Sequence, residues 1–344
     1  MSHMTQRRAA VLVAGSWGTA LATVLADNGY DVHIWSRNEE QVNEINEHHT
    51  NKRFLQEAVL PHNLKATTDM EEAITGAELV LFVATSASMR EVARKASPYI
   101  TESMLIIHAT KGFETGTLKR MTTVLAEELK TDPTRLVVLS GPSHAEEVVR
   151  RQPTTVVVAA ENMEAAEQAQ DALITQSFRV YTNPDAIGVE VAGAIKNIIA
   201  LGAGLTDGLG FGDNAKSALI TRGLSEITRL GMAMGANPLT FSGLAGVGDL
   251  IVTCTSTLSR NWRAGSMLAK GKSLDTVLAE MGMVVEGVRT TSAAHELSQT
   301  YGVVMPITEQ LYKVLFEGKE PRKAAVDLMG RGRKHEMEDI APIQ

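Results

Sequence analysis

Two glycines near the start of the chain have the spacing of a dinucleotide-binding turn. An aliphatic run over 9–14 leads into Gly15 and Gly18, and a helical pattern follows. Glycines in such a turn let backbone N–H groups approach a pyrophosphate, whose negative charge then faces the helix N-terminus. Val13 stands where the first glycine of the GxGxxG fingerprint belongs. The pattern therefore predicts a phosphate turn, with a simple strand-to-helix turn as the alternative.

The next strand ends about 20 residues further on, as the fingerprint requires. It ends in Ser36 and Arg37 instead of the acidic residue that bonds the ribose of NAD. An arginine at this point can meet the 2′-phosphate of NADP. The pair therefore favours NADP over NAD, unless Arg37 is an ordinary solvated charge. A Gly-Lys-Ser stretch at 271–273 is excluded as a P-loop, because Ser266 replaces the opening glycine and a helix precedes it.

Lys196 lies on a stripe of small residues within a long apolar helical pattern. A buried ammonium is costly unless a partner or substrate sits beside it, and small neighbours leave room for a ligand. Desolvation would lower the pKa of Lys196 toward the range that serves proton transfer. The alternative is a lysine that extends past the stripe to solvent. At about 100° per residue, the stripe contains Ala192, Gly193, Ala200 and Ala203, whereas Asn197 points elsewhere.

Composition limits what these residues can belong to. The chain has 344 residues and a net charge of −7, which excludes nonspecific nucleic-acid and polybasic membrane binding. One cysteine excludes a disulfide framework and a multi-cysteine zinc site, so we expect no metal and a reducing, cytoplasmic compartment. The longest apolar runs have strand length, far below the roughly 18 residues of a membrane span. Residues 1–3 are predicted to be a cloning scar.

Strand and helix patterns alternate up to about residue 184, which predicts a parallel, doubly wound α/β sheet. We expect a Rossmann-like domain over 1–186 and an all-helical domain over 187–344, in which only Leu250–Thr253 resembles a short strand. Predicted strands cover 9–14, 31–35, 79–84, 104–109, 135–140, 154–160 and 178–182. Predicted helices of the second half cover 187–205, 215–235, 262–270, 273–281, 286–301, 306–317 and 321–330.

Six sequence blocks, in order along the chain, make it similar to the bacterial NAD(P)-dependent glycerol-3-phosphate dehydrogenase family. The resemblance implies a Rossmann domain, a helical domain like the C-terminal one of 6-phosphogluconate dehydrogenase, a site between them, and a homodimer. It covers essentially the whole chain. The blocks are Gly15-Ser-Trp-Gly-Thr-Ala-Leu-Ala22, His108-Ala-Thr-Lys-Gly112, Ser140-Gly-Pro-Ser-His-Ala-Glu146, Lys196-Asn197-Ile-Ile-Ala200, Gly246-Val-Gly-Asp-Leu250 and Ser259-Arg-Asn-Trp262.

The implied reaction is the reversible, NAD(P)H-dependent reduction of dihydroxyacetone phosphate to sn-glycerol 3-phosphate for phospholipid synthesis. It needs a proton for the developing alkoxide and cations for the phosphate. By resemblance, Lys196 is the proton donor and Lys111 contacts both cofactor and substrate. Asp249 holds Lys196 and a substrate hydroxyl. The alternatives are a solvated loop position for Lys111 and a helix N-cap for Asp249.

The resemblance also implies which other residues bind the two ligands. Val284 could instead belong to the core and Glu286 to a solvated helix start, whereas His108, His144 and Cys254 are interpreted as structural. Substrate binding is implied for Lys111, Gly141, Ser143, Lys196, Asp249, Ser259, Arg260 and Asn261. Cofactor binding is implied for Gly15, Ser16, Trp17, Gly18, Arg37, Lys111, Ala145, Arg260, Val284 and Glu286.

Two positions depart from the family pattern. Val13 replaces a glycine and Thr85 replaces a proline, so we expect weaker cofactor binding and a less rigid loop. A dehydrogenase of 3-hydroxy acids, a protein that senses the nicotinamide redox state, and a helical interaction module are the competing hypotheses. The cations favour a phosphorylated substrate, a sensor needs no desolvated lysine, and an interaction module leaves the glycine turn unexplained.

Overall fold

The computed structural model of the chain describes residues 7–333 and 336. Eight strands form one sheet in the order β3-β2-β1-β4-β5-β6-β7-β8. Neighbouring strands are parallel except β6 and β7, which are antiparallel. The predicted α/β class and doubly wound sheet are confirmed, but the expectation of a parallel sheet is wrong for the β6–β7 pair. The strands are β1 Arg8–Leu12, β2 Asp31–Trp35, β3 Leu64–Thr67, β4 Leu79–Phe82, β5 Leu105–His108, β6 Val137–Ser140, β7 Thr154–Ala159 and β8 Phe178–Asn183.

The helices fall into two groups along the chain. Helices α1–α7 alternate with the strands, and α8–α15 make up the second half. They are α1 Ser16–Asp27, α2 Glu39–His48, α3 Met70–Ile74, α4 Met89–Ala96, α5 Met121–Leu129, α6 Ala145–Val149, α7 Met163–Leu173, α8 Ala186–Gly208, α9 Gly212–Ala233, α10 Asp249–Thr255, α11 Arg260–Ala269, α12 Leu274–Met281, α13 Glu286–Thr300, α14 Pro306–Phe316 and α15 Pro321–Met329.

Strand β1 is buried on both faces of the sheet. Ala9 and Val11 belong to one apolar cluster, whereas Ala10 and Leu12 belong to another on the opposite face. This alternation fixes the register of β1 between β2 and β4. The strand order reverses between β1 and β4, so the carboxyl end of β1 lies at the topological switch point of the sheet. Ligands bind at such points in open α/β sheets.

Two compact units divide the chain. One contains the residues up to Thr110 together with Lys119–Ala186, and therefore holds the whole sheet. The other contains Lys111–Leu118 and the residues from Ile187 onward. The loop that carries Lys111 thus belongs with the helices of the second half.

The strand predicted over Leu250–Thr253 is wrong, because these residues lie inside helix α10. Leu250 and Thr253 are buried and Ile251 is exposed, which is a helical periodicity that four apolar residues are too few to reveal. The hydroxyl of Thr253 donates to the carbonyl of Asp249 over 2.6 Å, as threonine does within helices. Strand β3 escaped the sequence analysis because it is a short edge strand with an exposed lysine.

Helix α8 is the core helix of the second unit. By length and a mean hydropathy of 1.5 it could cross a membrane, but 94% of that window is buried inside the protein. Its backbone touches that of α11 at two glycines. A Cβ on Gly204 would lie 1.9 Å from the carbonyl oxygen of Trp262, and one on Gly265 would lie 2.0 Å from that of Leu201. The start of α11 is therefore held directly against the helix that carries Lys196.

Candidate functional site

The glycine turn after β1 brings a helix N-terminus directly onto the end of the strand. Gly15 is the N-cap of α1, with extended backbone and no side-chain cap, and the first turn of α1 has no acidic residue. A Cβ on Gly18 would lie 2.1 Å from the carbonyl oxygen of Val13. The positive end of the helix dipole is therefore unneutralised by side chains of its own turn, which suits a pyrophosphate.

Val13 occupies a backbone conformation that favours glycine. Its φ is +88°, a strained value for a β-branched residue. Trp17, in the first turn of α1, has a buried indole Nε1 without a hydrogen-bond partner among residues 7–333. A close backbone approach and an unsatisfied buried donor fit a dinucleotide phosphate, so the residues present suit the predicted cofactor.

We expect Gly18→Ala to destabilise the fold, because its methyl group would overlap the Val13 carbonyl. The expected loss is about 1–3 kcal/mol in the free energy of unfolding, measured by urea denaturation. Gly15→Ala is the matched control, since a Cβ there meets nothing within 4 Å. It should stay within about 0.5 kcal/mol of the parent yet weaken cofactor binding. Equal stability of the two variants would contradict this assignment of the glycines.

Val13→Gly should tighten cofactor binding. Glycine adopts the positive φ without strain, and removing the isopropyl group lets the turn close on the pyrophosphate. The expected gain is up to about tenfold in Kd, measured by titration with NADPH. Val13→Ala keeps the strained backbone and removes most of the side chain, so it separates the effect of backbone strain from the effect of side-chain size. Unchanged affinity in Val13→Gly would show that this valine does not weaken binding.

The other implied ligand residues of the sheet-bearing unit follow the carboxyl ends of β2 and β6. Arg37 is 59% exposed as a side chain and lies 3.6 Å from Glu91. Gly141 has a φ of +130° and approaches the backbone of Val156, and the hydroxyl of Ser143 donates to the Gly141 carbonyl over 2.9 Å. Ala145 is the first residue of α6. Arg37, Gly141 and Ser143 thus occupy turns after strands, and Ala145 opens the helix that follows β6, a region where α/β proteins bind ligands.

In the second unit the structure brings together the three residues expected to carry the chemistry. The ammonium of Lys196 donates to Oδ1 of Asp249 and, over 2.8 Å, to Oγ1 of Thr253. The ammonium of Lys111 donates to Oδ2 of Asp249 over 2.7 Å. Lys196 and Asp249 are 6% and 1% exposed as side chains, whereas Lys111 is 20% exposed. Lys196 therefore ends in a buried cluster and does not reach solvent.

Burial and charge act in opposite directions on this cluster. Burial lowers the pKa of Lys196 to about 7, the charge of Asp249 opposes that shift, and the charge of Lys111 adds to it. Burial alone would raise the pKa of Asp249, but the charges of Lys111 and Lys196 outweigh it and hold the pKa below its ordinary value. A permanent carboxylate therefore faces a lysine that can gain or lose a proton near neutral pH.

Thr253 is a member of the lysine cluster that sequence analysis missed. It lies one helical turn after Asp249 on α10, and its side chain meets the same ammonium. The spacing of four residues would have indicated a shared helix face, had the segment not resembled a strand. The N-cap of α10 is Gly248, so Asp249 does not serve as the cap.

Asn261 connects three helices of this unit. Its Nδ2 donates to Oδ1 of Asn197 over 2.9 Å on α8, and its Oδ1 accepts from the backbone N–H of Gly287 on α13 over 2.8 Å. Asn197, which sequence analysis directed away from the site, is thereby part of it. Ser259 is the N-cap of α11 and accepts from the N–H of Trp262. The Ser259 cap and the two hydrogen bonds of Asn261 fix the first turn of α11, where Arg260 is exposed.

The remaining cofactor candidates lie where α13 begins. Val284 is half-buried, immediately before the N-cap Val285, and Glu286 is the first helical residue. The buried residue of this stretch is Val285, which is 2% exposed. Cys254 is fully buried, and burial raises the pKa of its thiol to about 12. It therefore stays protonated at neutral pH and packs as a small apolar side chain.

Comparison with known proteins places these units in one family. The models of the NAD-dependent glycerol-3-phosphate dehydrogenase N-terminus and C-terminus match residues 8–166 and 185–326. The chain is 57% identical to glycerol-3-phosphate dehydrogenase (NAD(P)+) of Bacillus subtilis and 59% identical to that of Geobacillus thermodenitrificans, covering 97% of each chain in both cases. The crystal structure of glycerol-3-phosphate dehydrogenase from Coxiella burnetii is 39% identical, with a TM-score of 0.90 over 95% of this chain and 99% of that one. The chain belongs to the NAD-dependent glycerol-3-phosphate dehydrogenase family.

Proposed function

We propose that this protein catalyses the reversible reduction of dihydroxyacetone phosphate to sn-glycerol 3-phosphate with NADPH or NADH. The observation that carries the proposal is the buried ammonium of Lys196, held by Asp249 and Thr253. A chain with the glycine turn of a nicotinamide-binding fold needs such a group only if a proton accompanies the hydride. A redox sensor would not need it.

Lys196 acts as the general acid in reduction and as the general base in oxidation. A pKa of about 7 lets it serve both directions, because either protonation state is accessible near neutral pH. Asp249 and Thr253 position its Nζ and restrict its direction of donation. Asp249 also keeps the cluster from holding two uncompensated cations.

Three side chains of the second unit provide for a phosphate dianion. Lys111 brings an ammonium and Arg260 a guanidinium, which can bind two phosphate oxygens at once. Among the described residues, Asn261 uses one of its two N–H donors on Asn197, which leaves the other for a phosphate oxygen. Ser259 orients this pair as the N-cap. The family resemblance implies that Gly141 and Ser143 add backbone and hydroxyl donors for the substrate.

The cofactor, when bound, supplies the hydride. Gly15, Ser16, Trp17 and Gly18 hold its pyrophosphate through backbone N–H groups and the helix dipole, and Ala145, Val284 and Glu286 contact it elsewhere. Arg37 receives the 2′-phosphate of NADP, which favours NADPH without excluding NADH. We further propose a cytoplasmic homodimer whose product enters phospholipid synthesis, as the family resemblance implies.

The activity is tested spectrophotometrically, by the loss of NADPH or NADH absorbance with dihydroxyacetone phosphate. Unphosphorylated dihydroxyacetone should show a kcat/KM at least about a hundredfold lower, since it leaves the cations unpaired. A 3-keto acid is the second comparison. Its preferred reduction would support the other dehydrogenase class, and cofactor binding without turnover of any substrate would support a sensor.

The two reaction directions should show opposite pH profiles. Reduction requires protonated Lys196, so its kcat/KM should fall from about pH 7 to about pH 9, whereas oxidation should rise through about pH 7 and then level. Initial rates in both directions measure this. In Lys111→Gln the midpoint should move to higher pH, because the charge of Lys111 lowers the pKa of Lys196. Profiles that are flat in this range would contradict proton transfer by Lys196.

A further inference from the structure

Glu91 is a carboxylate placed beside the one arginine that we assign to the 2′-phosphate. It lies in the first turn of α4, which follows β4, while Arg37 follows β2. Its Oε1 lies 3.6 Å from NH1 of Arg37. The same oxygen accepts from the ammonium of Lys95 over 2.8 Å, one turn along α4. Glu91 therefore stands between two cations, and its distance from Arg37 is too long for a hydrogen bond.

The surrounding charges leave Glu91 as the group that opposes Arg37. Arg90 and Arg94, its neighbours on α4, are paired with Glu127 and Glu128 of α5. The hydrogen bond and charge of Lys95, and then the charge of Arg37, hold the pKa of Glu91 below its ordinary value. Glu91 thus carries a full negative charge throughout the range in which the protein works.

A negative charge at this position acts differently on the two cofactors. The carboxyl end of β2 is where Rossmann folds recognise the adenosine ribose, with an acidic residue for the 2′-hydroxyl or an arginine for the 2′-phosphate. NADP brings a phosphate dianion to Arg37, and that dianion is repelled by Glu91. NAD brings a neutral hydroxyl, which Glu91 does not repel. Glu91 therefore weakens the binding of NADP and leaves the binding of NAD unchanged.

We infer that Glu91 is a specificity-determining residue, which offsets the attraction of Arg37 for the 2′-phosphate and so keeps NADH competitive with NADPH. The inference rests on the proposed use of a nicotinamide cofactor. Because the Arg37–Glu91 pair is loose and exposed, with side chains 59% and 52% accessible, a bound 2′-phosphate can displace it at little cost. Glu91 thereby shifts the preference without abolishing either mode of binding.

The test is calorimetric titration of the full-length protein with NADPH and with NADH, which requires no turnover. Repulsion between exposed charges a few ångströms apart corresponds to no more than about a tenfold change in affinity. Glu91→Gln should therefore tighten NADPH binding about three- to tenfold and change NADH binding less than about twofold. The gain should shrink as salt is added, since both charges are exposed. Arg37→Gln should change the ratio in the opposite direction.

Lys95→Gln is the matched control, because it breaks the same pair within α4 but leaves the carboxylate in place. It should not tighten NADPH binding, and it removes the possibility that a weakened helix explains the effect. An NADPH-to-NADH affinity ratio that Glu91→Gln leaves unchanged or lowers would overturn the inference, as would a ratio indifferent to Arg37→Gln. If the parent binds neither cofactor, the proposed function itself fails.

Discussion

Replacing Lys196 by methionine should lower kcat for the reduction of dihydroxyacetone phosphate by about 10²- to 10⁴-fold, the usual contribution of a positioned general acid. Methionine keeps most of the buried volume and removes only the ammonium that Asp249 and Thr253 hold. NADPH binding should be unchanged, because Lys196 is not among the residues assigned to the cofactor and the phosphate turn lies in the other compact unit. Stopped-flow kinetics and cofactor titration separate the two effects.

Two comparisons make this result specific. Lys313→Met, which removes an ammonium paired with Glu309 on α14, should keep parental activity. In Lys196→Ala, added methylamine should restore part of the rate, since a small amine can occupy the space and donate the proton. Activity retained in Lys196→Met would remove the proposed mechanism, whatever the amine does.

Asp249→Asn should lower kcat/KM for reduction at neutral pH by about 10²- to 10³-fold. The carboxylate raises the pKa of Lys196 against burial, so without it the lysine is largely unprotonated and has no proton to donate. The residual activity should therefore increase toward acid pH, with its midpoint below that of the parent. A purely structural defect would lower the rate without moving the midpoint, which the pH profile measures.

The same variant should lose about 1–3 kcal/mol in the free energy of unfolding. Removing one partner of a buried ion pair leaves the other charge uncompensated, and the loss is limited here because Lys196 can release its proton. The control is Asp27→Asn, whose partner Arg151 is 52% exposed, so less than about 1 kcal/mol is expected. Similar losses in both variants would contradict a buried charge network at Asp249.

The sequence allowed the sheet-bearing unit to be predicted well because its signals are local. Aliphatic runs of strand length, separated by segments with helical periodicity, indicate a parallel sheet whatever the order of the strands in it. The antiparallel pairing of β7 with β6 has no such signal, because a buried strand has the same composition in either direction. The edge strand β3 was missed because it has only four residues, and the exposed Lys65 interrupts its apolar pattern.

The lysine cluster was only partly predictable. The small-residue stripe indicated that Lys196 is buried, and the family resemblance supplied Lys111 and Asp249. Thr253 was missed because β-branched residues in a four-residue window resemble a strand, whereas tertiary packing makes the segment helical. Asn197 was placed outside the site because the pattern of one helix does not show which other helix packs against it. In the structure α11 packs there, and Asn261 bonds to Asn197.

The loop 111–118 has a consequence for dissecting this protein by genetic means. The chain enters the second unit at Lys111, leaves it after Leu118 and re-enters it at Ile187. A gene fragment starting at residue 187 would encode the helices without one of the two cations that compensate Asp249. Domain exchange between relatives at a single crossover would likewise combine a lysine from one parent with a carboxylate from the other. A recombinant keeps the charge network intact only if the codons for residues 111–118 come from the same parent as those for the helices from Ile187 onward.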